Sequence, residues 1–222
     1  MKFTLPARLT AEFIGTAFLV AAVVGSGVMG ERLAGGNIAI ALLANTIATG
    51  AALVALILTF GSVSGAHFNP VVTLADAIQG QRSWTDVGAY VCVQIVGGIG
   101  GAVVAHLMFE LPVVTPSLHA RSGIALAFSE FVATFGLLLV ILGCSRQRAS
   151  AVPFAVGAYI TAAYWFTAST SFANPAVTIA RSLSNTFSGI RPADVPLFIA
   201  AQVVGGLAAA FLFRQLDRGQ WR

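Results

Sequence analysis

Charge is what this chain has least of: 12 of its 222 residues are Lys or Arg and 8 are Asp or Glu, 9% in all, against about 25% in an ordinary soluble domain. So few charges cannot cover a water-facing surface, which excludes a soluble globular protein. Cysteine is scarce too. Cys92 and Cys144 fall in apolar runs without metal-ligand spacing, which excludes a disulfide scaffold and a zinc site and leaves them as small buried hydrophobes. The histidines, His67, His106 and His119, are scattered, and no nucleophile and base stand at a suitable spacing, so an intramembrane enzyme is excluded. No metal or cofactor is expected.

Apolar residues are what the chain has in excess, 57% of the total with 23 glycines spread through it, and this composition reads as a polytopic membrane protein. The net charge of +4 would point to nucleic acid in a soluble protein. Here it has another cause, because Lys and Arg collect on cytoplasmic loops and fix topology. The expected surrounding is a lipid bilayer, with no nucleic-acid partner.

Apolar segments lie at about 9–29, 38–60, 84–109, 122–143, 150–168 and 193–215, each long enough for a membrane span of about 20 residues. Lys2 and Arg8 before the run from Phe13 to Met29 imitate a signal peptide, but the run is too long for one and reads as a retained first span. The chain is expected to be all-α, with residues 1–222 forming a single integral domain. Two further apolar stretches of about ten residues open with Asn69-Pro70-Val71 and Asn174-Pro175-Ala176. At 1.5 Å per residue each covers about half of a 30 Å hydrocarbon core, so the two would meet end to end as re-entrant half-helices.

The halves, about 1–110 and 120–222, repeat one another. Ala11-Glu12-Phe13-Ile14 matches Ser129-Glu130-Phe131-Val132, the Asn-Pro motifs match, and Val93-Gln94-Ile95-Val96-Gly97-Gly98 matches Ala201-Gln202-Val203-Val204-Gly205-Gly206. Each half has an odd number of full spans, so one is inverted relative to the other. With both termini cytoplasmic, Lys2, Arg8, Arg82, Arg146, Arg148, Arg214, Arg218 and Arg222 lie inside and Arg32, Arg121, Arg181 and Arg191 outside, the arrangement that the positive-inside bias favours.

Asn is a preferred N-cap and Pro a preferred first helical residue, so each motif starts a helix whose free N–H groups and positive end point at the midplane. Opposed helix ends and the Asn69 and Asn174 amides repel cations and offer donors to a neutral hydroxylic solute. A water held there turns its hydrogens away from the centre, which interrupts a proton wire.

Six spans, duplicated halves and the motifs Asn69-Pro70-Val71 and Asn174-Pro175-Ala176 make the chain resemble the aquaporin and aquaglyceroporin (major intrinsic protein) family over essentially its whole length. The resemblance implies a homotetramer with a passive pore in each subunit, without a cofactor, in the cell (inner) membrane. It implies that Glu12 and Glu130 accept hydrogen bonds from the two pore loops as buttresses, with His67 packing beside the first. The alternative is a secondary active transporter that uses those two glutamates as proton carriers. The glycine pairs Gly97-Gly98 and Gly205-Gly206 fit close helix crossing.

The chain departs from the family at the selectivity filter. Similar water channels carry Arg directly after the second motif, where this chain has Val177; counting from the motifs gives Thr49, Ala162 and Ser171 as the other filter positions. Such a ring is uncharged and small, which implies a wide pore for water, glycerol, urea or metalloid acids such as arsenite, as in the bacterial arsenic-associated aquaglyceroporins. Val71 in place of Ala is expected to add apolar volume near the constriction. Arg181, one turn beyond Val177, is expected in the outer vestibule, either bound to a nearby loop or standing in for the missing arginine.

Overall fold

The computed structural model describes residues 3–218; Lys2, Arg222 and the side chain of Arg218 lie outside the described residues. The helices are α1 (Leu5–Leu33), α2 (Ile38–Ser64), α3 (Pro70–Ile78), α4 (Trp84–Met108), α5 (Ile124–Gln147), α6 (Val152–Phe166), α7 (Pro175–Arg181) and α8 (Val195–Arg218). All but α3 and α7 belong to segments long and apolar enough to cross a membrane, six among the described residues, and the chain is a multi-pass integral membrane protein.

Local chemistry places the boundaries. Pro6 opens α1, the Asn37 side chain caps α2 by accepting from the Ala39 and Ile40 amides, and the Ser83 hydroxyl caps α4. Helix α2 stops at Gly65, whose φ of 94° is left-handed and suited to glycine.

Glycine decides which helices touch. A Cβ at Gly97 or Gly101 of α4 would collide with the Phe13 or Ala17 carbonyl of α1, and one at Gly205 of α8 would collide with the Phe131 carbonyl of α5. The two halves therefore share one packing plan, α4 on α1 and α8 on α5, with α2 and α6 meeting between them.

The radial pattern suits a membrane. Phe18, Ile47, Leu107, Phe128 and Phe211 are exposed on the flanks, whereas Glu12, Gln94, Glu130 and Gln202 are fully buried. Cys92 is exposed on that apolar flank and Cys144 half-buried, so the first is not the buried residue that its apolar context implied; both are free thiols. A helix in lipid has no need to turn every small apolar residue inward.

Six crossings bring the start of α1 and the end of α8 to one face, here the terminal face. There Arg8 pairs with Asp86 at 3.0 Å. On the far face the α1 end is tied to the α4 end, Arg32 Nη2 donating to the Phe109 carbonyl at 2.9 Å. Helix α3 starts in the interior and exits at the terminal face, and α7 does the mirror image.

Candidate functional site

Each half-helix is capped by its own motif asparagine. Asn69 Oδ1 accepts from the Val71 amide at 2.9 Å, and Asn174 Oδ1 accepts from the Ala176 and Val177 amides at 3.0 and 3.3 Å. The other end of each amide crosses to the opposite half. Asn69 Nδ2 donates to the Ala173 carbonyl and Asn174 Nδ2 to the Phe68 carbonyl, both at 2.7 Å. One amide hydrogen of each is thus committed, and the other is left for whatever occupies the adjoining cavity.

The loops leading to these caps are strained alike. Gly65, Ala66 and Phe68 in the first, and Thr170, Ser171 and Ala173 in the second, all have positive φ. Non-glycine residues there cost about 1 kcal/mol or more each, and they persist only when their surroundings hold them. Two buried carboxylates do so. Glu12 Oε1 accepts from the Ser64 hydroxyl at 2.6 Å and the His67 amide at 2.9 Å, and its Oε2 accepts from the Phe68 amide at 2.7 Å and Gln94 Nε2 at 2.8 Å. Glu130 accepts from the Phe172 and Ala173 amides, both at 2.9 Å, and from Gln202 Nε2 at 2.6 Å.

Gln94 and Gln202 complete each set by donating at 2.9 Å to Thr73 and Thr178, whose hydroxyls donate to the Asn69 and Asn174 carbonyls. Sequence reasoning used the glutamines only to align the repeat. A buried amide recurring at matched positions was the signal that they had partners to find.

A cavity of about 570 Å³ runs between the halves, lined by Asn69, Asn174, Val72 and Val177 at the helix ends, with Leu19, Val23, Leu53, Val156 and Ile160 along its walls. The motif residues divide around it. Pro70 and Pro175 occupy the first helical positions, and neither they nor Val71 nor Ala176 lines the cavity. Val71 is turned against α8, filling the space above Gly206, and the Ala176 carbonyl approaches Gly98 of α4 in the matching place, 3.2 Å from where a Cβ would stand. Val71 therefore adds no volume to the constriction. Position 71 follows Pro70 directly, and the face of α3 that meets the cavity is Val72, Ala75 and Asp76.

The expected filter residues do not all assemble. Thr49, Ser171 and Val177 are buried and line the cavity, but Ala162 is exposed on the flank of α6 with Phe154 and Ala158. The α6 residues at the cavity are Val152, Val156, Ile160 and Tyr164, one per turn, and the Tyr164 hydroxyl donates to Thr49 Oγ1 at 3.3 Å. Rotation about α6 is fixed by a close approach of Gly157 to Gly50 of α2, a Cβ at Gly157 standing 2.8 Å from the Gly50 carbonyl. Counting back from the motif cannot register that rotation.

Arg181 turns inward. It is 1% exposed and lines the cavity, its Nε donates to the Ser188 carbonyl, and its guanidinium lies 3.3 Å from the Phe172 ring centroid. Arg121, from the loop between α4 and α5, lies 5.0 Å from the same ring and donates to the carbonyls of Gly189 at 2.8 Å and Ser169 at 3.2 Å. Burial pulls the Arg121 pKa below its ordinary value, while Glu130 and Tyr164 pull the other way. Nothing in the spacing of Arg121 or Phe172 marked them, because their loop is brought to the pore only by tertiary contacts.

At the terminal end, Asp76 accepts from Arg82 Nε at 3.1 Å and lies 3.4 Å from His67 Nε2. His67 Nδ1 is 3.0 Å from the Thr73 hydroxyl, and the ring lines the cavity. Among the described residues no cluster of three or more His, Cys, Asp or Glu is placed to hold a metal ion. On the far side His106 links α4 to the loop after α7, its ring nitrogens 2.9 Å from the Val113 carbonyl and 2.8 Å from the Ser184 hydroxyl.

The model of the major intrinsic protein family matches residues 2–170 and 145–221. The chain is 54% identical over 215 residues to the aquaglyceroporin AqpS of Rhizobium meliloti, covering 97% of the chain and 92% of that relative. It is 32% identical to aquaporin NIP1-4 of rice, with 96% and 78% of the two chains covered. The fold is shared with the solved aquaglyceroporin of Plasmodium falciparum, at a TM-score of 0.74 and 20% identity over 96% of this chain and 95% of that one.

Proposed function

The chain belongs to the major intrinsic protein family, whose members are passive membrane channels and not enzymes, and on that premise we propose that it passes water together with glycerol, urea or metalloid acids such as arsenite through a wide, weakly selective pore. The observation that carries the reading is the reciprocal pair Asn69 and Asn174, each capping its own half-helix and bracing the other loop beside one cavity. Their free amide hydrogens and the two helix ends face a solute oxygen. The same positive ends oppose cations.

In this reading Glu12 and Glu130 are buttresses. Each carboxylate is filled by loop amides and a glutamine, so both are committed to holding the pore loops. The terminal face is cytoplasmic, placing Arg8, Arg82 and Arg146 inside, and the assembly is a homotetramer in the inner membrane.

The filter in this reading comprises Thr49, Tyr164, Ser171 and Val177. An arginine at 177 would add bulk and charge to the wall next to Asn174, which narrows the pore for glycerol before it narrows it for water. Val177→Arg is therefore expected to lower the glycerol-to-water permeability ratio about tenfold, the order expected from steric exclusion worth about 1.4 kcal/mol. Stopped-flow light scattering on proteoliposomes, normalised to inserted protein, reads the ratio; a ratio unchanged or raised places the filter elsewhere. Solute flux that depends on a proton gradient would overturn the passive reading.

A further inference from the structure

Among the described residues, two donor atoms at the far end of the cavity have no hydrogen-bond partner. Arg181 Nη1 and the Ser171 hydroxyl are buried without a hydrogen bond, in residues 1% and 2% exposed that both line the cavity. An unmet buried donor is costly, and more so when it is charged. Neither group is loose. Arg181 is pinned through Nε to the Ser188 carbonyl and through its face to Phe172, the residue after Ser171, and both residues face the same cavity.

The charge around them is lopsided. Arg121 lies against the same Phe172 ring, and two buried acids on this side are both taken up, Glu130 by the Phe172 and Ala173 amides and Gln202, and Asp194 by the Arg121 amide and the Arg191 guanidinium. Among the described residues Asp76 is the one acid that lines the cavity, and it is paired with Arg82 at the opposite end. The far end thus presents positive charge and donors to the cavity, while the carboxylates on that side are engaged elsewhere and do not line it.

We propose that Arg181 and Ser171 form a binding site for the carboxylate of a small hydroxy acid of two or three carbons, and that the channel conducts such acids alongside neutral solutes. A carboxylate supplies acceptor oxygens to the guanidinium and the hydroxyl, and charge-assisted bonds of this kind are the strong ones. Farther in, the carboxylate meets the free hydrogens of Asn69 and Asn174 and the N-terminus of α3, so the path is donor-lined from the far end to the centre. The inference rests on the channel reading and extends it from uncharged solutes to a monoanion.

The experiment uses the full-length protein in liposomes, with potassium glycolate and valinomycin to balance charge, and ethylene glycol as a neutral solute of similar size. Radiolabelled glycolate uptake at neutral pH is expected to exceed that of protein-free liposomes, and external glycolate is expected to slow ethylene glycol flux in the wild type. Arg181→Met is expected to lower the glycolate-to-water ratio about tenfold or more, Ser171→Ala by a smaller factor, and Arg181→Lys to fall between wild type and Arg181→Met. The wild-type competition needs no variant to fold. Glycolate uptake at the protein-free level, or no competition, with water and ethylene glycol fluxes intact, overturns the site and leaves the channel reading standing. Loss of water flux as well overturns both.

Discussion

Position for position, the two pore loops carry the same backbone and end on opposite charges. Residues 65, 66 and 68 repeat as 170, 171 and 173 in their positive φ, Asn69 and Thr73 repeat as Asn174 and Thr178, and Gln94 repeats as Gln202 behind them. The differences fall around this frame: His67 against Phe172, Val71 against Ala176, Asp76 against Arg181. What repeats is whatever closes the hydrogen bonds of a strained loop inside a membrane, where an open backbone group has no water to turn to. What differs is what the cavity meets at each mouth. Asp76 is answered by Arg82, whereas Arg181 keeps an unpaired nitrogen.

The buttresses test the shared frame most severely. Glu12→Ala would orphan the His67 and Phe68 amides, the Ser64 hydroxyl and one Gln94 hydrogen bond, and Glu130→Ala the Phe172 and Ala173 amides and one from Gln202. At about 1–3 kcal/mol per orphaned donor, both variants should lose most of their folded yield in detergent, Glu12→Ala more than Glu130→Ala. Equal, undiminished yields would break the comparison. Glutamine at 130 can turn its NH2 toward the Phe172 amide alone and is expected to cost a single orphan, whereas at 12 either oxygen accepts from two donors and the NH2 faces both, so Glu12→Gln should cost more than Glu130→Gln.

Next in size is the central pair. Asn69→Asp and Asn174→Asp each place a carboxylate against the carbonyl that the amide now contacts, Ala173 or Phe68, and put negative charge between two positive helix ends. Both should introduce cation conductance in planar bilayers, to a similar degree if the halves are equivalent. Conductance in one alone would show that the mouths, not the centre, govern ion exclusion.

The smallest effect concerns Val71 and Ala176. Gly206→Ala should clash with the Val71 side chain and destabilise by about 1–3 kcal/mol, while Gly98→Ala, facing the Ala176 carbonyl at 3.2 Å, should be milder. Val71→Ala should rescue Gly206→Ala in thermal stability assays. On its own it should leave the glycerol-to-water ratio unchanged, since Val71 does not line the cavity.

The spans, the half-helices and the inverted repeat were legible in the chain because each rests on local chemistry: apolar length, an Asn-Pro start, recurrence of Glu and Gln at matched places. The glutamates were legible for the same reason, a carboxylate in an apolar run needing partners. The inward turn of Arg181 was not, because an arginine one turn past Val177 reads equally as a solvated mouth residue until Phe172 and Ser188 are seen to hold it.

By itself, then, the sequence determined how many times the chain crosses the membrane, where two helices break and face one another, and which residues are duplicated, since hydrophobic length and capping act over a few residues at a time. The tertiary structure alone decided which side of each helix meets the pore. Tyr164 lines the cavity in place of Ala162 because Gly157 lets α6 press against Gly50 of α2 in one rotation. Val71 faces α8 because Gly206 leaves room for it there. Helix phase relative to a cavity is a property of two packed surfaces, and neither surface is written in the segment that carries the residue.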